Sequence, residues 1–92
     1  MGVYIMKVVA KPIEVVSYTD DKGDMRPLRF RIQNEDQTTK VIKIDKVITK
    51  ETEKLAGNYM LVFKCQSLID NIQRLFEIKY ELQTCKWILF KI

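Results

Sequence analysis

From Tyr59 to Ile92 the chain alternates apolar and polar side chains with a period of two, the repeat of a pleated strand and not of a helix. Tyr59, Leu61, Phe63 and Cys65 share one face of a first segment; Ile72, Phe76, Ile78, Tyr80 and Leu82 share one face of the next. Residues 86–92 follow, apolar on both sides: Trp87 and Leu89 on one, Ile88, Phe90 and Ile92 on the other. A strand of that kind is covered on both faces, by the N-terminal strand or by a second subunit, and is where a barrel closes.

Upstream the same alternation continues. In residues 27–33, Leu28, Phe30 and Ile32 point one way and Arg29, Arg31 and Gln33 the other. In residues 40–49, Ile42, Ile44 and Ile48 form the apolar face. Both apolar faces meet only if paired positions differ by an even number. A loop over residues 34–38 does this, setting Phe30 opposite Ile42, Leu28 opposite Ile44 and Arg29 opposite Lys43. The last hairpin, turning through residues 82–85, pairs Glu81 with Lys86, Tyr80 with Trp87 and Ile78 with Leu89. Residues 3–16 are β-rich and carry Pro12, which donates no ladder hydrogen bond, so they form an edge strand or two short strands meeting at a bend. Gly23 sits in an acidic turn after Thr19, and residues 68–71 make another turn. Residues 51–56 break the alternation and read as one helical turn, capped by Thr49 or Thr52 and ended by Gly57. The expected fold is all-β: one domain over residues 1–92, six antiparallel strands in a meander curled into a small barrel or roll.

At 92 residues, 47% hydrophobic and 30% charged, the chain has an ordinary globular composition and material for one modest core. No apolar run is long enough to cross ~30 Å of hydrocarbon as a helix, and the start has no secretory pattern, so a cytoplasmic protein is expected. Cys65 and Cys85 are then free thiols. Histidine is absent, which excludes histidine-based triads and Cys/His zinc sites within the chain. Asp20, Asp21 and Asp24 lack the spacing of a calcium loop and read as a solvated turn. Glu77 and Glu81 stand roughly 13 Å apart along a strand, too far for paired acid–base work. No catalytic residue, metal or cofactor is expected.

The net charge of +4 is concentrated in residues 26–50, where seven cations face three acids and carry the whole excess. Arg29, Arg31 and Lys43 form its centre, with Arg26 and Lys40 near its ends. Like charges set opposite one another across strands repel. Such a row is a solvated face, a site for an anionic partner, or a set neutralised by acids such as Glu14 on the next strand. Most rings (Phe30, Tyr59, Phe63, Phe76, Tyr80, Trp87) fall on core faces, leaving Tyr18 and Phe90 as exposed platforms.

Residues 27–31 (PLRFR), the β run after them, and residues 84–92 (TCKWILFKI) resemble a small uncharacterised β-domain family of clostridia and related bacteria. That family is distantly similar to short proteins encoded beside Y-family DNA polymerases. The resemblance implies an accessory role around DNA repair or mobile elements, with Arg29 and Arg31 as the matching basic residues. Where the distant relatives tend to have a glycine before the basic residue and tryptophan of the last hairpin, this chain has Cys85. The expected function is therefore a non-enzymatic binding module that presents its basic hairpin to nucleic acid or to an acidic protein surface. The alternative is a self-associating subunit, a homodimer formed through Ile88, Phe90 and Ile92.

Overall fold

The computed structural model describes residues 6–92, so residues 3–5 of the expected first strand lie outside it. Seven strands follow in chain order: β1 (Val8–Thr19), β2 (Met25–Gln33), β3 (Thr39–Lys43), β4 (Lys46–Leu55), β5 (Asn58–Ile69), β6 (Ile72–Glu81) and β7 (Lys86–Lys91). They form one sheet in the order β3-β2-β1-β7-β6-β5-β4, every neighbouring pair antiparallel. The described residues contain no helix, hence none long and apolar enough to cross a membrane.

The two edge strands of this sheet, β3 and β4, are consecutive in the chain and separated only by Ile44 and Asp45. In a flat sheet the outermost of seven strands would lie about 29 Å apart, whereas the chain from Lys43 to Lys46 reaches at most about 10 Å. The sheet must therefore roll. Six antiparallel steps also make β3 and β4 run in the same sense, so the chain does not reverse at Ile44–Asp45. It continues through a bend, leaving β2 as partner and taking up β5. Ile44 N–H still donates to Leu28 O at 2.9 Å. Asp45 N–H donates to the buried Ser67 Oγ at 3.2 Å, and Leu68 N–H donates to Asp45 Oδ2 at 2.8 Å. β1 divides its partners in the same way: residues before Glu14 pair with β7, and those from Glu14 onward with β2. Strands that bend from one half of a sheet to the other make the corners of such rolled structures.

The result is a curled half-barrel. Phe30, Phe63, Phe76, Ile78 and Leu89 fill its inside, with Phe30 against Phe76 at 5.4 Å between ring centroids and Phe63 against Trp87 at 5.6 Å. The seam between the edges is tied by an ion pair from Lys40 to Asp70 and by Lys50, which donates to Asp24 Oδ1 at 2.7 Å and Met25 O at 3.1 Å.

The registers expected for the two basic and C-terminal hairpins are present: Phe30 opposite Ile42, Arg29 opposite Lys43, Tyr80 opposite Trp87 and Ile78 opposite Leu89. The third expected strand is divided by the bend, which makes seven strands of six. The helical turn at residues 51–56 does not form. Residues 51–55 are the end of β4, each held by a partner on β5 such as Val62 opposite Glu51, and cross-strand pairing overrides their local helix preference, while Ala56 begins the turn that follows. Gly57 does take a left-handed φ of 83°, as the second residue of a two-residue hairpin turn after Ala56. Bulges account for two misplaced side chains. Val16 faces Arg29 but Ser17 faces Pro27, so Leu28 is the extra residue; it is 39% exposed while Pro27 takes the buried position. Ile48 is likewise extra between Val47 and Thr49, and turns outward. Tyr59, Ile72 and Leu82, expected inside, lie at strand ends beyond the core and are exposed. Pro12 lies within β1 opposite Ile88, not on an edge, and the expected bend takes the form of a bulge between Val8 and Lys11, where Ala10 has φ 45°.

Cys85 closes the last turn with φ 58°, a left-handed conformation that costs an L residue about 1–2 kcal/mol and glycine almost nothing. Allowing for the greater freedom of glycine in the unfolded chain, Cys85→Gly is expected to raise stability by about 0.5–1 kcal/mol in urea denaturation. The two free thiols should also differ. Burial pushes the Cys65 thiol up to about 12, so at pH 8 in native protein a thiol reagent is expected to modify the exposed Cys85 and to reach Cys65 only after denaturation.

Candidate nucleic-acid interface

The sheet's outer face over β1, β2 and β3 is built by side chains of one parity. Residues directly opposite on antiparallel strands share a face, and the ladder aligns them in rows. Glu14, Arg31 and Val41 form one, Val16, Arg29 and Lys43 the next, and Tyr18 with Arg26 the last. Successive rows are about 7 Å apart along β1. Two shallow depressions run along this face. One of about 340 Å³ is lined by Glu14, Val16, Arg29, Arg31 and Val41; the next, about 330 Å³, shares Glu14 and Arg31 and extends to Pro12, Gln33 and Thr39.

The structure thus brings together four of the five basic residues singled out in the sequence. Arg29, Arg31 and Lys43 are exposed, as is Arg26 at the far end. Lys40 does not join them: it stands opposite Ile32, whose side chain packs on the core, so it belongs to the inner parity, and its ammonium is paired with Asp70.

Charge across the face is uneven. Arg31 is ion-paired with Glu14, directly opposite on β1, the neutralising acid anticipated from the sequence. Arg26 lies with its guanidinium 5.9 Å from the centroid of the Tyr18 ring. Beside it, the Lys50 ammonium holds the Asp24 carboxyl below the usual carboxylate range, by its hydrogen bond and then its charge, with a smaller contribution from Arg26. Arg29 and Lys43 face each other with no ion-pair partner among the described residues. Between these cations stand exposed apolar groups: Val41 is 62% exposed, Tyr18 53% and Val16 47%. Sequence reading picked out Tyr18 as a platform but not its seat beside Arg26, and it missed both valines. Their position on the cationic face follows from pairing across β1 and β2, which local alternation does not reveal.

The alternative surface is smaller than its sequence suggests. β7 is the central strand, paired on both sides, with β1 beside it in the sheet and not laid over a face of it as the sequence suggested. Ile92 packs on the core and Ile88 and Phe90 are half-buried. Phe90 carries Lys79 Nζ at 3.7 Å from its ring centroid. Lys79 is itself only 8% exposed and is paired at 3.2 Å with the half-buried Glu53, which the sequence placed in a helical turn. The carboxylates of the Asp20 turn are engaged locally: Lys22 and Asp24 N–H both donate to Asp20 Oδ1 at 2.9 Å. No group of metal-binding side chains occurs among the described residues.

Because the Arg31–Glu14 pair is solvent-exposed, it contributes little to folding. Glu14→Gln is expected to change unfolding free energy by less than about 0.5 kcal/mol in urea titration, while adding a free cation to this face. Searches against protein-family models, curated proteins and solved structures find no match to this chain, so its chemistry rests on the residues themselves.

Proposed function

We propose that this protein is a non-enzymatic binding module that holds nucleic acid against the outer face of β1–β3. The single observation that carries the reading is the Arg29–Lys43 pair. Two cations placed directly opposite across antiparallel strands repel, and a chain under no other demand would set an acid at one position or pair each with a neighbour. Arg31, Lys40, Lys50 and Lys79 have such a carboxylate partner; Arg29 and Lys43, like Arg26, have none among the described residues, and they are the one pair of cations set directly opposite each other across the described ladders. A phosphate supplies the missing counter-charge. Arginine offers it a planar fork of donors and lysine a point charge. Binding of this type is dominated by release of counterions from the polymer, falls steeply with salt and depends little on sequence. The reading sits with a protein of the cell interior, with two cysteines held apart as free thiols, and with the accessory role near DNA repair implied by the sequence resemblance.

The test is fluorescence anisotropy with a labelled oligonucleotide over a range of salt concentrations. Arg29→Ala and Lys43→Ala are each expected to weaken binding and to reduce the slope of log K against log salt by about 1. Arg31→Ala is expected to do less, because Glu14 already engages it. Arg29→Glu with Lys43→Glu should abolish binding and leave the thermal unfolding curve in place. Wild-type affinity that does not respond to salt, or that survives the double reversal, overturns the reading.

A further inference from the structure

We infer that the nucleic acid taken by this face is single-stranded, with one base stacked on Tyr18 while Arg29 and Lys43 hold the backbone alongside; this rests on the binding reading above. Three observations converge. Tyr18 is the one ring of the outer β1–β2 face, 53% exposed, and the Arg26 guanidinium lies over one face of it, 5.9 Å from its centroid, which leaves the other face for a base. Aromatic rings next to cations are what single strands use, since an unpaired base offers a π-face to the ring and a phosphate to the cation.

The apolar groups on the face point the same way. Val16 and Val41 are exposed among the cations and flank the depression of about 340 Å³. A surface that meets only phosphates gains nothing from exposed valines. Splayed bases, whose faces are apolar, do bury them. In a duplex those base faces are already stacked on one another, and only groove edges and backbone are presented.

The setting of the cations also matters. Arg29 on β2 and Lys43 on β3 stand directly opposite each other, and β2 is continued on its other side by β1. They are therefore presented on a three-stranded surface and not on a free two-stranded ribbon of the kind that enters a major groove about 12 Å wide.

The experiment compares a labelled single-stranded 12-mer with the same sequence as a duplex, by anisotropy at low and high salt. The proteins are wild type, Tyr18→Phe, Tyr18→Ala, Tyr18→Thr and Arg29→Glu, each checked for folding by circular dichroism. Wild type is expected to bind the single strand more tightly than the duplex. Tyr18→Ala and Tyr18→Thr should lose about tenfold on the single strand, within the range of one base–aromatic stack. The salt slope should not change, since no phosphate contact is removed, and Tyr18→Phe should retain wild-type affinity. Equal binding of both forms, or a single-strand affinity indifferent to Tyr18→Ala, overturns the inference; the binding reading then stands if Arg29→Glu still weakens both. If wild type binds neither oligonucleotide at low salt, both fall, and salt-dependent capture of polyglutamate through Arg29 would redirect the face to an acidic protein.

Discussion

Two residues, Ile44 and Asp45, join the opposite edges of a seven-stranded sheet, and this short link decides the shape of everything else. A flat sheet cannot satisfy it, so the strands roll and their inner face becomes the apolar interior of a half-barrel. Ser67 and Asp45 then serve the bend: each supplies an oxygen to a backbone N–H that has lost its strand partner where the chain passes from β2 to β5. A serine buried in an otherwise apolar interior is explained by that duty. Rolling also coils β1 and β2 enough to hollow the outer face over Glu14, Arg29 and Arg31, which a flat ribbon would leave as a plane.

Electrostatics on this scaffold follow a pattern that stability alone does not explain. Exposed ion pairs are worth about 0–1 kcal/mol, so the pairs of Lys40 with Asp70 and Lys50 with Asp24 serve mainly to fix the seam and to quiet charges around the cationic face. Lys79 is the exception in kind. It is buried on the outer side of β6, where Glu53 and the Phe90 ring replace its water, and loss of the Glu53 carboxylate would leave an uncompensated charge. On the β1–β3 face the directly opposed Arg29 and Lys43 have no ion-pair partner among the described residues, nor has Arg26, which lies over the Tyr18 ring. Two exposed valines and a tyrosine stand among these cations.

Local alternation made much of this legible. It separated Phe30 from Arg29 and Arg31, aligned Lys43 with Arg29 and paired Tyr80 with Trp87, because a period of two and short loops leave one register in which both apolar faces meet. It failed where a strand gains a residue. Leu28 and Ile48 are bulged, and a bulge shifts parity by one without any mark in composition. It failed again at residues 51–56, whose helix-favouring side chains are held extended by β5, a partner that a local window does not contain.

The sequence by itself therefore determined that this chain forms antiparallel strands, which side chains of each hairpin travel together, and that its excess charge lies on one of them, since all of these follow from the spacing of neighbours along a pleat. Only the tertiary structure decided that β7 lies at the centre beside β1, that Lys40 leaves the cationic group for Asp70, and that Tyr18 and two valines stand among the cations. These depend on contacts between residues far apart in the chain, set by the rolling that the Ile44–Asp45 link imposes on the whole sheet.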